Sequence, residues 1–211
     1  MLKVYGFTLS PPANKVRFVA NYLGLEYQYI DLKPFEGEHK KPEHLARHPA
    51  GKVPVIEDGD FTLFESDAII RYLAAKANNT DVYPSEIKAR AMVDQWMDYA
   101  NSQIGMSVMK IFYNEIIAKK RGYPVNELAI KEGQKGLELG LPIIEQQLSK
   151  TPYLCDEHIT LADMCLLACL DPSELVGVDL NPYPNIRKWR NELMAKDFYQ
   201  KVHCSYQSLF E

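Results

Sequence analysis

The stretch HPAGKVPVIEDGDFTLFESDAIIR, residues 48–71, holds two strand patterns, a turn and a helix start in close succession. Lys52-Val53-Pro54-Val55-Ile56 is an apolar run broken by a proline, which cannot donate to a strand ladder and belongs at an edge or a bulge. Val53 therefore reads as part of a strand with an open outer side, able to pair with an extended peptide. Asp58-Gly59-Asp60 suits a hairpin turn between strands at 54–57 and 61–64. Beyond it, Ile69, Ile70, Leu73 and Ala74 keep helical spacing and predict a helix with Ser66 as its N-cap. Such a helix start, with unpaired N–H groups and a positive dipole end, suits a carboxylate.

Around this stretch, residues 1–78 alternate between strand and helix patterns. They comprise a strand at 3–6, a helix over about 14–23, a strand at 26–30, a loop with basic residues, strands at 53–57 and 61–64, and the helix from 66. A βαβ unit followed by ββα is the thioredoxin-like order. Asn78-Asn79-Thr80-Asp81, closed by Tyr83-Pro84, reads as a linker. From there the helical period dominates, with segments near 86–120, 126–149, 160–170 and 184–196; Pro142 predicts a kink or a late start in the second. Thr160 and Asp163 form a capping-box variant with a structural role, and Trp189 packs in the core. The fold class is thus α+β: a thioredoxin-like domain over 1–78, then an all-helical domain over 86–211.

The chain of 211 residues is long enough to bury a substantial core. A net charge of −4 with interspersed signs offers no basic face for nucleic acid. No apolar run is long enough to span a membrane, and Met1-Leu2-Lys3-Val4-Tyr5 enters a strand pattern directly, without a secretory leader. Cys155, Cys165, Cys169 and Cys204 lack zinc-site spacing, so no metal is expected. Cys165 and Cys169, four apart, read as buried core. Together these predict a reduced, cytoplasmic protein.

The same residues resemble the glutathione-binding signature of cytosolic glutathione transferases, in which a cis-proline follows a valine and a Glu-Ser or Gln-Ser pair opens a helix. Lys3-Val4-Tyr5-Gly6, Gly37-Glu38-His39-Lys40-Lys41 and Thr160-Leu161-Ala162-Asp163 extend the likeness in order along the chain. Where thioredoxin-like folds carry a reactive Cys-x-x-Cys, this chain has Ser10-Pro11-Pro12-Ala13, which cannot cycle between thiol and disulfide. In serine-type members a serine six residues before the valine of the first helix donates its hydroxyl to the glutathione sulfur, and Ser10 stands at that distance from Val16. A plain capping role for Ser10 is the alternative, and Thr8 and Tyr5 are hydroxyls that could compete.

The resemblance implies further that His39, Lys40 and Lys52 hold the glycyl carboxylate of glutathione. Val53, before a cis Pro54, would pair its backbone with the cysteinyl peptide, Glu65 would take the γ-glutamyl ammonium, and Ser66 its carboxylate. A second, apolar substrate would lie against Ser10. Met106, Met109 and Tyr113 share one helical face for it, with Phe35, Pro11 and Pro12 opposite; methionines suit several electrophiles.

Lowering a thiol pKa of about 8.5 by about two units takes about 2.7 kcal/mol. One hydrogen bond to a charged acceptor contributes about 1.5–3 kcal/mol, so a serine and a helix start suffice. The implied activity is conjugation of glutathione, as co-substrate, to small apolar electrophiles. Peroxide reduction or dehalogenation at the same site, and a non-catalytic binding or assembly protein of this fold, are the alternatives. The nearest classes are phi, theta and delta. A homodimer is implied, although Ala50 stands where many relatives carry an aromatic that inserts into the partner subunit.

Overall fold

The structure, a computed structural model, describes residues 1–209. It divides into two compact units, one of Met1–Tyr83 with Ala195–Ser205 and one of Pro84–Met194 with the residues from Tyr206.

The first unit runs β1 (Leu2–Gly6), α1 (Pro11–Tyr22), β2 (Tyr27–Asp31), α2 (Pro42–Leu45), β3 (Val55–Asp58), β4 (Phe61–Phe64) and α3 (Ser66–Lys76). The sheet order is β2-β1-β3-β4, with β1 parallel to β2 and β3 antiparallel to both its neighbours. This is the thioredoxin-like arrangement. Val4, Val55 and Ile56 of the central strands are fully buried, as are Val16 and Val19 of α1 and Ile69, Ile70 and Leu73 of α3. The helical stripes read from the sequence therefore supply the core.

Three local expectations need correction. α1 begins at Pro11 rather than near 14, because proline is tolerated in a first turn whose N–H groups have no helical acceptor. Val53 is not on an open-edged strand: β3 starts at Val55 and is paired on both sides, so Val53 stands just ahead of the ladder with its backbone outside it. Ser66 is the first helical residue and Glu65 the N-cap, at φ 72 and ψ 111. The Val53–Pro54 bond is cis, as the resemblance implied.

In the second unit one helical rod carries α4 (Ile87–Tyr99), a π segment (Ala100–Gly105), α5 (Met106–Phe112), a second π segment (Tyr113–Ala118) and α6 (Lys119–Arg121). Then come α7 (Glu127–Leu148), α8 (Leu161–Leu170) and α9 (Pro184–Met194). α7 runs through Pro142 without a late start. It approaches α5 closely: a Cβ on Gly133 would lie 2.6 Å from the Ser107 carbonyl.

Every residue of α8 is buried, Cys165 and Cys169 included. Asp163 accepts hydrogen bonds from Leu154 N (2.9 Å), Thr160 N (2.9 Å), the Thr160 hydroxyl (3.0 Å) and buried Trp189 Nε1 (3.0 Å). No helix among the described residues is long and apolar enough to cross a membrane.

The chain then returns. α10 (Asp197–Gln200) belongs to the first unit, where Tyr199 stacks on Phe18 at 5.2 Å between ring centroids and Phe198 meets the same ring edge-on at 6.0 Å. The helical stretch expected over 86–211 is therefore not one continuous unit.

Candidate active site

A cavity of about 200 Å³ opens in the first unit, lined by Pro12, His48, Lys52, Val53, Pro54, Glu65 and Ser66. The turn of residues 48–51 builds one wall. The Gly51 N–H donates to the His48 carbonyl at 2.7 Å and the Ala50 N–H to His48 Nδ1 at 3.2 Å. Gly51 has φ +57, and a Cβ there would meet the His39 carbonyl at 2.6 Å, so only glycine fits. His44, 2% exposed, donates from Nε2 to the Lys52 carbonyl at 2.8 Å and fixes the peptide that leads into Val53.

The opposite wall is the start of α3. A non-glycine residue at Glu65's dihedrals costs about 1–3 kcal/mol, and such strain persists where the surroundings over-determine it, commonly at ligand clamps. The strain leaves Glu65 exposed at the cavity, with Ser66 beside it. His48, 4% exposed, lies against Phe64 with ring centroids 4.6 Å apart. Burial lowers its pKa below the ordinary 6.5, with His44 and Lys52 adding to the effect and Glu65 opposing it.

Ser10 is held by the loop between β1 and α1. Its N–H donates to the Phe7 carbonyl (2.8 Å), and its own carbonyl accepts from Asn14 N (2.9 Å). The Asn14 side chain donates to the Thr8 carbonyl at 2.9 Å. The Ser10 side chain makes no capping hydrogen bond, so the plain-cap alternative has no contact behind it. Pro11 and Pro12 carry no N–H, which leaves Ala13 as the first helical donor. The competing hydroxyls are committed elsewhere: Tyr5 donates to Glu57 at 2.8 Å and Thr8 to Asp31 at 3.0 Å.

The remaining residues singled out in the sequence are distributed as follows. Ser10 does not itself line the cavity; Pro12, two residues on, does. His39 and Lys40 also stand outside its wall, on a 3-10 turn packed against Gly51, where Lys40 Nζ donates to the Ala50 carbonyl at 2.8 Å. In the same unit Pro11 is buried, and Phe35, 41% exposed, meets Phe7 edge-on at 5.9 Å. In the second unit Met106, Met109 and Tyr113 are exposed rather than packed in the core. Among the described residues no cluster of three or more His, Cys, Asp or Glu side chains could hold a metal ion. His48 and His44 escaped the sequence reading; the one available signal was their i, i+4 spacing just before Lys52.

Comparison with known proteins bears on this geometry. Residues 1–75 match the family model of the glutathione S-transferase N-terminal domain and residues 106–197 that of the C-terminal domain. A probable glutathione S-transferase of rice, Oryza sativa subsp. japonica, is 35% identical over 205 residues, covering 95% of each chain. The solved structure of glutathione S-transferase-I bound with lactoylglutathione superposes with a TM-score of 0.86 at 29% identity, covering 95% of this chain and 97% of that one. Glutathione S-transferase I from maize, in complex with an atrazine glutathione conjugate, gives 0.86 and 29% with 95% of each chain covered. With both domains matched and a relative of this identity along nearly its whole length, the chain belongs to the glutathione S-transferase family.

Proposed function

We propose that this protein binds glutathione in the cavity of its first unit, stabilises the thiolate with the Ser10 hydroxyl, and transfers the sulfur to small apolar electrophiles. One observation carries the reading: Lys52, Val53, cis-Pro54, Glu65 and Ser66 line a single cavity, in the unit whose Ser10 hydroxyl caps nothing. Relatives solved with lactoylglutathione and with an atrazine glutathione conjugate support glutathione as the ligand.

In this reading the Val53 backbone, outside the ladder, pairs with the cysteinyl peptide in the manner of strand addition. Glu65 takes the γ-glutamyl ammonium and Ser66 its carboxylate, a charge-assisted arrangement. Lys52 takes the glycyl carboxylate, with His39 and Lys40 beyond it. The double proline leaves the helix end less to contribute than an ordinary first turn, about 0.3–1 kcal/mol, so most of the thiolate stabilisation falls to Ser10. Pro12 and the exposed Phe35 are the side chains that the first unit offers to the electrophile. The protein works as a homodimer in the cytoplasm.

The test is twofold: the shift in thermal midpoint on adding millimolar glutathione, and conjugation across a panel of electrophiles. A positive shift with turnover supports the reading. A shift without turnover on any electrophile favours a binding protein, and no shift overturns the assignment.

A further inference from the structure

We propose that His48 is a further glutathione-binding residue, whose Nε2–H donates a hydrogen bond to a carboxylate of the bound tripeptide. The proposal rests on the glutathione reading above and extends it to a side chain that the reading leaves without a role.

The hydrogen bond from Ala50 fixes the tautomer of the His48 ring. His48 Nδ1 accepts the Ala50 N–H at 3.2 Å. A ring nitrogen that accepts must be bare, so the neutral ring carries its proton on Nε2. One flat face of the ring is taken by Phe64, at 4.6 Å and 33°. Nε2 is the polar atom that remains, and among the described residues it meets no hydrogen-bond partner. Yet the side chain is 4% exposed and lines the cavity together with Lys52, Glu65 and Ser66.

That nitrogen is not among the fully enclosed, unpartnered side-chain atoms, so on a residue that lines the cavity its N–H is open to an acceptor brought by a ligand. Glutathione brings two carboxylates to this cavity, and a carboxylate accepts without donating. The neighbouring Lys52 ammonium favours an anion at the same place.

The stack on Phe64 and the bond from Ala50 hold the ring in one orientation, so little side-chain freedom is lost on binding. The same contact would exist before and during the reaction. Its loss should therefore raise the Michaelis constant for glutathione and leave turnover at saturation unchanged.

Two variants separate this from a structural role. His48→Phe keeps a ring against Phe64 and removes both nitrogens. His48→Asn keeps an acceptor for the Ala50 N–H, since an Asn oxygen commonly takes the N–H two residues on, but its amide falls short of the Nε2 position. Binding of glutathione, of γ-glutamylcysteine, which lacks the glycyl carboxylate, and of cysteinylglycine, which lacks the γ-glutamyl carboxylate, is measured by calorimetry for the parent protein and both variants.

The expected result is that glutathione affinity falls about tenfold or more in both variants, with kcat retained and the ligand-free midpoint of His48→Asn close to the parent's. The penalty should vanish for the peptide lacking the carboxylate that His48 contacts, which also assigns that carboxylate. Parent-like affinity in His48→Asn overturns the inference alone, as does an equal penalty for all three peptides. No glutathione binding by the parent protein overturns the glutathione reading and this inference with it.

Discussion

Asp31 Oδ1 accepts two hydrogen bonds from Thr8, one from its backbone N–H at 2.9 Å and one from its hydroxyl at 3.0 Å. With the Asn14 side chain on the Thr8 carbonyl, this pins the loop that presents Ser10 from both sides. Asp31→Ala should therefore lower kcat about tenfold, since misplacing a reacting group by about 1 Å is that costly or more. Stability should fall by about 1–3 kcal/mol from the donors left unpaired. Steady-state kinetics and thermal unfolding check the two effects; an unchanged kcat would show that the loop holds its shape without Asp31.

The same contact sets a pH dependence. Burial raises the Asp31 carboxyl's pKa, but the Lys33 ammonium and the Thr8 donors outweigh it and leave the pKa below the ordinary 3.8. A carboxyl whose folded pKa is depressed contributes stability above its unfolded value of about 4 and loses it as the pH falls through the folded value. Acid unfolding followed below about pH 4 should be shallower in Asp31→Asn than in the parent.

Ser10→Ala should lower turnover at pH 6.5 by about 10 to 100-fold, the loss of one hydrogen bond to a charged acceptor, with glutathione affinity changed only a few-fold. Because the hydroxyl caps nothing, the thermal midpoint should stay within about 1 °C of the parent's.

Glu65 combines the proposed ligand contact with backbone strain at φ 72. Glu65→Gly should relieve that strain, against a flexibility cost of about 0.5–1 kcal/mol, so the ligand-free midpoint should not fall. The shift on adding glutathione should shrink markedly. A midpoint several degrees lower would show that the Glu65 side chain supports the fold and is not held there for the ligand.

In the helical unit, Asp163→Ala would leave four donors without their acceptor in a fully buried place. About 3–5 kcal/mol of stability should be lost, about 10 °C in thermal midpoint; a drop under about 2 °C would mean that the network reorganises.

Much of this was legible in the sequence, and the reasons differ by residue. The hairpin of β3 and β4 and the helix after it followed from turn chemistry and periodicity, which are local. Pro11 and Pro12 read as loop because proline breaks helices, although the first turn is where it does no harm. Ser66 reads as the cap because serine caps well, whereas Glu65 occupies that place in a conformation no propensity scale favours. The π segments leave the apolar pattern of the long rod nearly intact, so periodicity does not reveal them. The return of α10 to the first unit depends on Phe18, nearly the length of the chain away. The roles of His44 and His48 rest on which ring nitrogen faces which backbone group, which only the folded turn fixes.

Whether Ser10 makes glutathione a thiolate in this protein is read by titrating the ultraviolet absorbance of the bound thiolate against pH in the parent and in Ser10→Ala. The expected apparent thiol pKa is about two units below the free value of about 8.5 in the parent, returning most of the way in the variant. A parent complex with no thiolate near neutral pH, or an identical titration in Ser10→Ala, would contradict it.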